Sequence, residues 1–254
     1  MKVRILGSGT SSGVPRIGND WGQCDATEPR NRRTRASILV QSATTRILVD
    51  TSPDMREQLL AANVADIDAV IWTHDHADHT HGIDDLRQLM HARGGPVRGI
   101  APEVTAQGLT TRFRYVFAGG GPYRATATME PLIDGMTVGD IHVHTVAQPH
   151  GGITSAGLRF RHGGKSVGYA TDFNEFTHDM RQLYTGVDLW VADALRRHPH
   201  PTHPHLAQTL GWAAECGVGQ TVLIHMDNSM DYATLTAELP ERVDPGFDGM
   251  EIVI

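Results

Sequence analysis

The feature that most constrains this chain is a run of metal-binding residue types, His74-Asp75-His76-Ala77-Asp78-His79, directly after an apolar segment. That segment, Ala69 to Trp72, is apolar throughout, which predicts a strand buried on both faces. Imidazole and carboxylate groups together suit Zn²⁺, Mn²⁺ or iron. Because a loop at a strand end is held by a rigid sheet, the run predicts a metal site at a sheet edge. Four donors within six residues cannot easily all reach one ion, so their spacing favours two neighbouring ions.

Composition narrows the class of protein. The 254 residues, 40% of them hydrophobic, predict one domain over residues 1–254. A net charge of −7 disfavours stable nucleic-acid binding, which needs a basic surface. No apolar run approaches the roughly 18 residues of a membrane span, and the start of the chain lacks the apolar core of a signal peptide. We therefore expect a cytoplasmic enzyme with a small-molecule substrate and no membrane partner, and a homodimer is one option for its assembly. The chain is also rich in histidine, the commonest metal ligand, with 15 such residues.

Hydrophobic periodicity predicts a layered α/β protein with much mixed sheet. The predicted strands are Lys2–Leu6, Ser37–Gln41, Arg46–Asp50, Asp68–Thr73, Ile141–Val146, Gly157–Arg161, Ser166–Ala170, Leu189–Ala192 and Thr221–Ile224. The predicted helices are Pro53–Ala62, Asp84–Arg93 and Leu206–Cys216. Residues 117–128 are Gly-rich and predicted to be irregular.

Three later residues extend the histidine motif. His150 and Asp172 follow predicted strands, and His225 comes directly after another. With the first run, they make the chain resemble the metallo-β-lactamase fold superfamily. The resemblance implies a four-layer αββα sandwich of the α/β class. It also implies that His74, His76 and His150 hold one divalent ion, that Asp78, His79 and His225 hold a second, and that Asp172 bridges them. Asp50 is expected to support the histidine loop without being a ligand.

Two such ions, Zn²⁺ or Mn²⁺, would share a bridging water and lower its pKa toward neutrality, which implies hydrolysis by a metal-bridging hydroxide. Di-iron redox members of the superfamily usually carry Glu where this chain has His76, so His76 favours a hydrolase.

Two further stretches, Leu6 to Pro15 and Pro29 to Ser37, resemble the phosphodiesterase branch of the superfamily, which includes tRNase Z and PhnP-like enzymes. Two others, His200 to His203 and Asp244 to Glu251, resemble the PhnP-like enzymes specifically. The implied substrates are small cyclic phosphodiesters, either 5-phosphoribosyl 1,2-cyclic phosphate or 2′,3′-cyclic nucleotides. Two alternatives remain: a tRNase Z-like RNA 3′-processing nuclease, and a non-hydrolytic ligand carrier on the same fold. Only residues 151–171 separate the third and fourth metal motifs, which leaves no room for the tRNA-clamping arm of tRNase Z.

A diester with a poor leaving group needs a general acid, and histidine is the natural acid near neutral pH. The resemblance assigns this role to His203, with His205 and His200 as alternatives, and places Asp78 beside it as a catalytic residue. Arg33, within a group of four arginines, and Ser11 are candidate phosphate contacts.

One departure from the PhnP-like pattern concerns a structural zinc that this branch often carries. Only Cys24 remains of its cysteines, because Asn19 and Trp21 stand at the other positions, and Asn228 replaces a histidine. A closed structural site needs four Cys or His ligands. We therefore expect no structural zinc, and a substantially buried Trp21 that holds the N-terminal loop by packing instead.

Overall fold

The computed structural model describes residues 1–254, which form two seven-stranded sheets. The strands are β1 (Lys2–Gly7), β2 (Ser37–Gln41), β3 (Arg46–Val49), β4 (Ala69–Ile71), β5 (Arg98–Ala101), β6 (Glu130–Pro131), β7 (Met136–Val138), β8 (Ile141–His150), β9 (Ile153–His162), β10 (Lys165–Ala170), β11 (Leu189–Asp193), β12 (Gln220–Ile224), β13 (Val243–Pro245) and β14 (Glu251–Val253). The first sheet has the order β14-β1-β2-β3-β4-β5-β6, and the second has the order β13-β12-β11-β10-β9-β8-β7.

Eight α-helices connect the strands. They are α1 (Met55–Ala61), α2 (Ala77–Thr80), α3 (Leu86–Arg93), α4 (Glu103–Arg112), α5 (Arg114–Ala118), α6 (His178–Tyr184), α7 (Leu206–Cys216) and α8 (Tyr232–Glu238). Two 3₁₀ turns lie at Pro29–Asn31 and Ile83–Asp85. With 11 residues, α7 is the longest helix, and none has the length and apolarity to span a bilayer, which takes about 20 residues.

The main core lies between the two sheets. It contains 23 buried side chains, among them Val3 and Ile5 of β1 and Val167 and Tyr169 of β10. Because successive strand residues point to opposite faces, the alternation of Val3 and Ile5 with Lys2 and Arg4 places one face of β1 in this core.

Helices cover the outer face of each sheet. A second cluster of 16 buried residues packs α1, α3, α4 and α5 against the first sheet, with Trp72 at its centre. A third cluster packs α6 and α7 against the second sheet around Trp190. The layers are therefore helix, sheet, sheet, helix, and the predicted αββα sandwich is confirmed.

Parallel pairing decides where the functional loops meet. β3, β4 and β5 run parallel in the first sheet, and β10, β11, β12 and β13 run parallel in the second. The carboxyl ends of parallel strands lie at one edge of a sheet, so the loops after β3, β4, β10, β11 and β12 can converge there.

Several predicted boundaries change. The strand predicted to end at Val146 continues to His150, because β8 pairs with β9 along its whole length. The helix predicted from Asp84 begins with a 3₁₀ turn, and α3 starts at Leu86. Several short elements, including α4, α5, α6, α8, β7, β13 and β14, gave no clear periodic signal in the sequence.

Candidate metal centre

The histidine loop leaves β4 in an extended conformation and then turns into the one-turn helix α2. His74 and His76 lie on the extended part, whereas Asp78 and His79 lie in the helical turn. The change of backbone conformation after His76 directs the two pairs to neighbouring positions, as the spacing predicted.

The first group of potential ligands joins His74 and His76 to His150 at the end of β8 and Asp172 after β10. His150 Nε2 lies 3.4 Å from His76 Nδ1 and 3.5 Å from Asp172 Oδ1. His74 Nε2 lies 3.8 Å from the same carboxylate oxygen, Asp172 Oδ1.

The second group joins Asp78 and His79 to His225 after β12, again with Asp172. His79 Nε2 lies 3.3 Å from Asp78 Oδ2 and 3.1 Å from Asp172 Oδ2. His225 Nε2 lies 3.5 Å from Asp78 Oδ2 and 3.6 Å from Asp172 Oδ2. Asp172 thus offers Oδ1 to the first group and Oδ2 to the second.

The geometry of both groups fits a metal ion. Ligand atoms about 2.0–2.1 Å from a tetrahedral ion lie about 3.3–3.4 Å from one another, close to the separations found here. Nε2 of His74, His79 and His225 is buried without a hydrogen-bond partner. Unpartnered buried nitrogens are costly unless another group satisfies them, and a divalent ion held by each group of residues would do so.

Charges in the second group stabilise one another in the metal-free protein. Burial works against the imidazolium of His79, but Asp172, Asp78 and Asp50 hold the pKa of His79 well above its usual range. Burial also disfavours the charged form of His225, but the carboxylates of Asp172 and Asp193 outweigh this effect and raise the pKa of His225 to about 9. Burial is also outweighed at Asp172, where His225 and His79 hold the pKa well below its usual range.

Asp50 lies behind the second group. Its carboxylate is fully buried, accepts hydrogen bonds from Thr73 N (2.7 Å) and Thr73 Oγ1 (2.9 Å), and lies 2.8 Å from His79 Nδ1. This contact fixes the ring of His79 so that Nε2 points to Asp172 and Asp78. The position fits the supporting role expected for Asp50.

Three residues of the centre have left-handed backbone conformations. Asp50, Asp172 and His225 have φ values of 64°, 56° and 57°, and each lies just beyond a strand end. Such conformations cost free energy for a non-glycine residue and concentrate at functional sites.

His203 lies beside the centre and is held by Asp193, a residue that no sequence motif indicated. His203 Nδ1 lies 2.8 Å from Asp193 Oδ2, and the His203 ring stacks on His225 with 4.8 Å between centroids. Asp193 is fully buried as the last residue of β11. With Nδ1 occupied by Asp193, His203 keeps Nε2 for the pocket that it lines. In the sequence, Asp193 could have been noticed as an acidic residue at the end of an apolar strand.

Asp193, His203, Asp172 and His225 also form a third potential ligand group. The 2.8 Å between Asp193 and His203 is a hydrogen-bond distance, shorter than the separation of two ligands on one ion. We therefore interpret this group as a hydrogen-bonded extension of the second one.

The two alternatives to His203 lie outside the pocket, although the ring of His200 lies 5.2 Å from that of His203. His205 Nδ1 lies 2.5 Å from Gln208 Oε1 in the cap of α7, which turns His205 away from the centre. His200 Nδ1 accepts a hydrogen bond from Thr202 N at 3.3 Å, and neither His200 nor His205 lines the pocket.

A small pocket of about 180 Å³ opens over both ligand groups. Ser11 lines it together with Gly151, Ile153 and Thr202. Ser11, a predicted phosphate contact, therefore lies at the wall of this pocket.

The prediction that Arg33 contacts substrate is wrong. Its guanidinium is buried and donates to Met230 O (2.6 Å) and Asn31 Oδ1 (3.3 Å), away from the pocket. The three neighbouring arginines do not line the pocket either: Arg30 pairs with Glu28, Arg35 pairs with Asp54, and Arg32 lies over Trp21. Nearby backbone carbonyls bind Arg33 more readily than a distant substrate could, because an unpaired buried guanidinium is costly.

The N-terminal loop is held differently from the expectation. Trp21 is only partly buried and belongs to none of the four apolar clusters, although its indole N–H donates to Asn19 Oδ1 at 3.2 Å. Asn228 instead ties the loop down, because it donates to Asp20 Oδ2 (3.1 Å) and accepts from Gln23 N (2.8 Å). The thiol of Cys24 lies 3.7 Å from the Arg33 guanidinium.

Comparison with known proteins identifies related chains. The family model described as "Beta-lactamase superfamily domain" matches residues 45–226. The chain is 31% identical over 264 residues to an octanoyltransferase from Porphyromonas gingivalis, covering all of this chain but 52% of that protein. It therefore spans about half the length of this relative.

Two relatives match over nearly their whole length. Coenzyme PQQ synthesis protein B from Methylobacterium nodulans is 24% identical over 298 residues, covering 99% of each chain. The crystal structure of a diphosphatase from the PhnP family is 33% identical, with a TM-score of 0.90 over 99% of this chain and 96% of that chain. The likeness to the diphosphatase therefore covers nearly the whole of both chains.

Proposed function

Because this chain belongs to the β-lactamase superfamily, we propose that it is a metal-dependent hydrolase of small cyclic phosphodiesters. The observation that carries the proposal is Asp172, whose two carboxylate oxygens face two separate groups of candidate ligands, all of them buried except His76 and Asp78. Two divalent ions held there would supply an activated water and would neutralise charge on the phosphate.

The candidate ligands form the two sides of the centre. His74, His76 and His150 hold one side of the centre, and Asp78, His79 and His225 hold the other. The pocket lining contains no arginine or lysine, so bound divalent ions would be the main cations available to a substrate phosphate.

His203 is the proposed general acid. Asp193 holds its Nδ1, which leaves Nε2 to donate a proton to the departing alkoxide. Ser11 and Thr202 at the rim offer hydroxyl groups to the rest of the substrate.

The dimensions of the pocket support a small substrate. Its volume of about 180 Å³ is below the usual range of about 300–1,000 Å³ for pockets that enclose a drug-sized ligand. Between the third and fourth metal motifs, β9 and β10 take up most of residues 151–171, and an arm that could grip tRNA is missing there. Both observations favour a small phosphodiester over an RNA precursor or a bulky carried ligand.

A leaving-group series tests the proposal. We expect turnover of 2′,3′-cyclic nucleotides with Mn²⁺ or Zn²⁺, and a loss of roughly 10²–10⁴-fold in kcat for His203→Ala with such alkoxide leaving groups. A nitrophenolate ester, which needs no acid, should lose less. His205→Ala is the matched control. Equal losses for both esters would remove His203 from this role, and faster turnover of a thioester than of any phosphodiester would overturn the proposal.

A second candidate function is hydrolysis of a diphosphate, favoured by the 33% identity to the PhnP-family diphosphatase. The same centre could attack a phosphoanhydride, whose phosphate leaving group needs little acid assistance. Comparing kcat/KM for a cyclic phosphodiester and a dinucleotide diphosphate distinguishes the two, and only the former should depend strongly on His203.

A further inference from the structure

A second cavity, separate from the metal centre, lies between α3, α5 and the turn that follows α5. Its volume is about 650 Å³, more than three times that of the metal pocket, and it shares no lining residue with that pocket. We call it the α3–α5 cleft and define it by Arg87, His91, Tyr115, Tyr123 and Arg124, which line it. This volume falls within the usual range for small-molecule sites, about 300–1,000 Å³.

The cleft carries positive charge on an acidic protein. Arg87 and Arg124 both line it, and neither makes a salt bridge or a side-chain hydrogen bond elsewhere in the structure. The only carboxylate in the lining is Asp84, and it already accepts a hydrogen bond from the Tyr115 hydroxyl at 2.6 Å. Unpaired surface arginines are ordinary on a flat face, but here two converge on one cavity of a chain with a net charge of −7.

Two exposed aromatic rings complete the lining. Tyr115 is 56% exposed and Tyr123 is 65% exposed, both unusually open for large aromatic residues in a folded chain. The Arg87 guanidinium lies 5.4 Å from the centroid of the Tyr123 ring, within cation–π distance. A ligand ring could stack on the same tyrosine, and its anionic group could take a bidentate contact from the arginine.

Two backbone hydrogen bonds and a required glycine fix the conformation of the turn that carries Tyr123. Gly120 N donates to Tyr123 O and Tyr123 N donates to Gly120 O, both at 3.0 Å. Gly119 has φ 63°, and a Cβ there would lie 2.6 Å from Tyr123 O, so only glycine fits this position. The backbone is thus shaped to hold Tyr123 and Arg124 at the rim of the cleft.

We propose that the α3–α5 cleft binds a planar aromatic anion of the nucleoside monophosphate class, with the base stacked on Tyr123 and the phosphate held by Arg87 and Arg124. Stacking on an aromatic side chain accepts any base, whereas the two guanidinium groups select for a phosphate. The site is independent of the hydrolytic function proposed above, since it uses none of the metal-centre residues.

Equilibrium dialysis with labelled adenosine 5′-monophosphate and the metal-loaded 254-residue chain tests the proposal. Because the metal pocket can also hold a phosphate, the same titration is run on Asp172→Asn, which weakens that pocket alone. We expect one saturable site that persists in Asp172→Asn. Arg87→Ala should weaken binding roughly tenfold or more, as for loss of a charged hydrogen bond.

Two further variants separate stacking from charge. Tyr123→Ala should weaken binding roughly tenfold, whereas Tyr123→Phe should keep it, because stacking needs the ring and not the hydroxyl. Arg46→Ala is the matched control, since Arg46 is exposed, has no salt bridge and lies on β3 outside the cleft. Thermal unfolding of each variant shows whether it is folded.

The outcomes that overturn the proposal are distinct. Binding that disappears in Asp172→Asn but survives Arg87→Ala belongs to the metal pocket. Equal competition by orthophosphate and by the nucleotide excludes the stacked ring. Undetectable saturable binding by folded wild-type protein at millimolar nucleotide rejects the site altogether.

Discussion

At the scale of single residues, Asp172 connects the two halves of the candidate metal centre. Its Oδ1 lies 3.5 Å from His150 Nε2 and its Oδ2 lies 3.1 Å from His79 Nε2. Asp78, in contrast, contacts only His79 and His225 of the second group. Replacing Asp78 and replacing Asp172 should therefore have different effects on metal content.

We expect Asp78→Ala to empty the second site first, leaving about one ion per chain, and Asp172→Ala to weaken both sites. The reason is that a site missing one of its charged ligands retains metal poorly. Elemental analysis after gel filtration measures the stoichiometry. Full occupancy of both sites in Asp172→Ala would contradict the bridging assignment.

Metal binding to the second group should strengthen as pH rises. In the metal-free protein His79 and His225 have raised pKa values, about 9 for His225, so both carry a proton at pH 7. An ion binds the neutral imidazole and must displace these protons, so affinity is lowest at acid pH and increases as the pH approaches 9. Calorimetric titration in buffers of different ionisation enthalpy would detect the released protons. Affinity independent of pH between 6 and 9 would contradict this prediction.

Asp193→Asn should reduce turnover of alkoxide esters by roughly 10–100-fold, the usual effect of removing a supporting carboxylate. The amide cannot stabilise a protonated His203 in the way that the carboxylate does. Activated nitrophenyl esters should lose less, and the acidic limb of the pH profile should keep its position if metal binding is unchanged. A uniform loss for both esters with reduced metal content would show that Asp193 acts through His225 instead.

At the scale of secondary-structure elements, short caps and loop contacts fix the ligand-bearing loops. Asp231 caps α8 by accepting from Thr234 N at 2.9 Å. The same carboxylate accepts from Asn31 Nδ2 at 2.7 Å, and Asn31 Oδ1 accepts from Arg33. The Asp231 side chain therefore connects the N-terminus of α8 to the N-terminal loop.

Asp231→Ala should lower the free energy of unfolding by about 1–2 kcal/mol, as expected for loss of an N-cap. Burial raises the pKa of Asp231, but hydrogen bonds from the backbone N–H groups of Thr234 and Asp25 outweigh this effect and lower the pKa to about 2. A lowered pKa stabilises the fold above the unfolded value of about 4, and this contribution is lost as the pH falls toward 2.

Urea denaturation at pH 7 and pH 3 measures both effects. The difference between wild type and Asp231→Ala should shrink at the lower pH. Glu241→Ala, at an exposed residue without a hydrogen bond or salt bridge, is the control and should be neutral. A difference that is the same at both pH values would exclude an ionised cap.

At the scale of the whole molecule, the centre joins the two sheets. His74, His76, Asp78 and His79 follow β4 of the first sheet, whereas His150, Asp172 and His225 come from strand ends of the second. Any ion bound by both sets is a crosslink between the halves of the sandwich.

Chelation should therefore lower the Tm of the whole protein in a single transition. The stabilisation reaches about 4 kcal/mol at a free ion concentration of 1,000 times Kd. Differential scanning calorimetry with and without EDTA measures this change in Tm, and Asp172→Ala should respond least to added Zn²⁺ or Mn²⁺.

We also predict two ions per chain and no structural zinc. A third zinc that survives mild chelation would contradict that count.

The sequence by itself determined which residues are candidate metal ligands, their order and the layered fold. His74, His76, Asp78 and His79 could be found because they are adjacent in the chain, and an apolar run such as Ala69–Trp72 specifies a buried strand locally. His150, Asp172 and His225 were found through the family pattern, because each ends or follows a strand and a lone polar residue there usually forms a turn.

Only the tertiary structure decided the contacts between distant segments. It paired Asp193 with His203 and buried the Arg33 guanidinium against Met230 O and Asn31 Oδ1. It also brought Arg87, Tyr123 and Arg124 to one cavity. None of these follows from spacing along the chain. Whether an arginine is buried or faces a ligand depends on which other segments pack around it, and that packing is a property of the folded molecule as a whole.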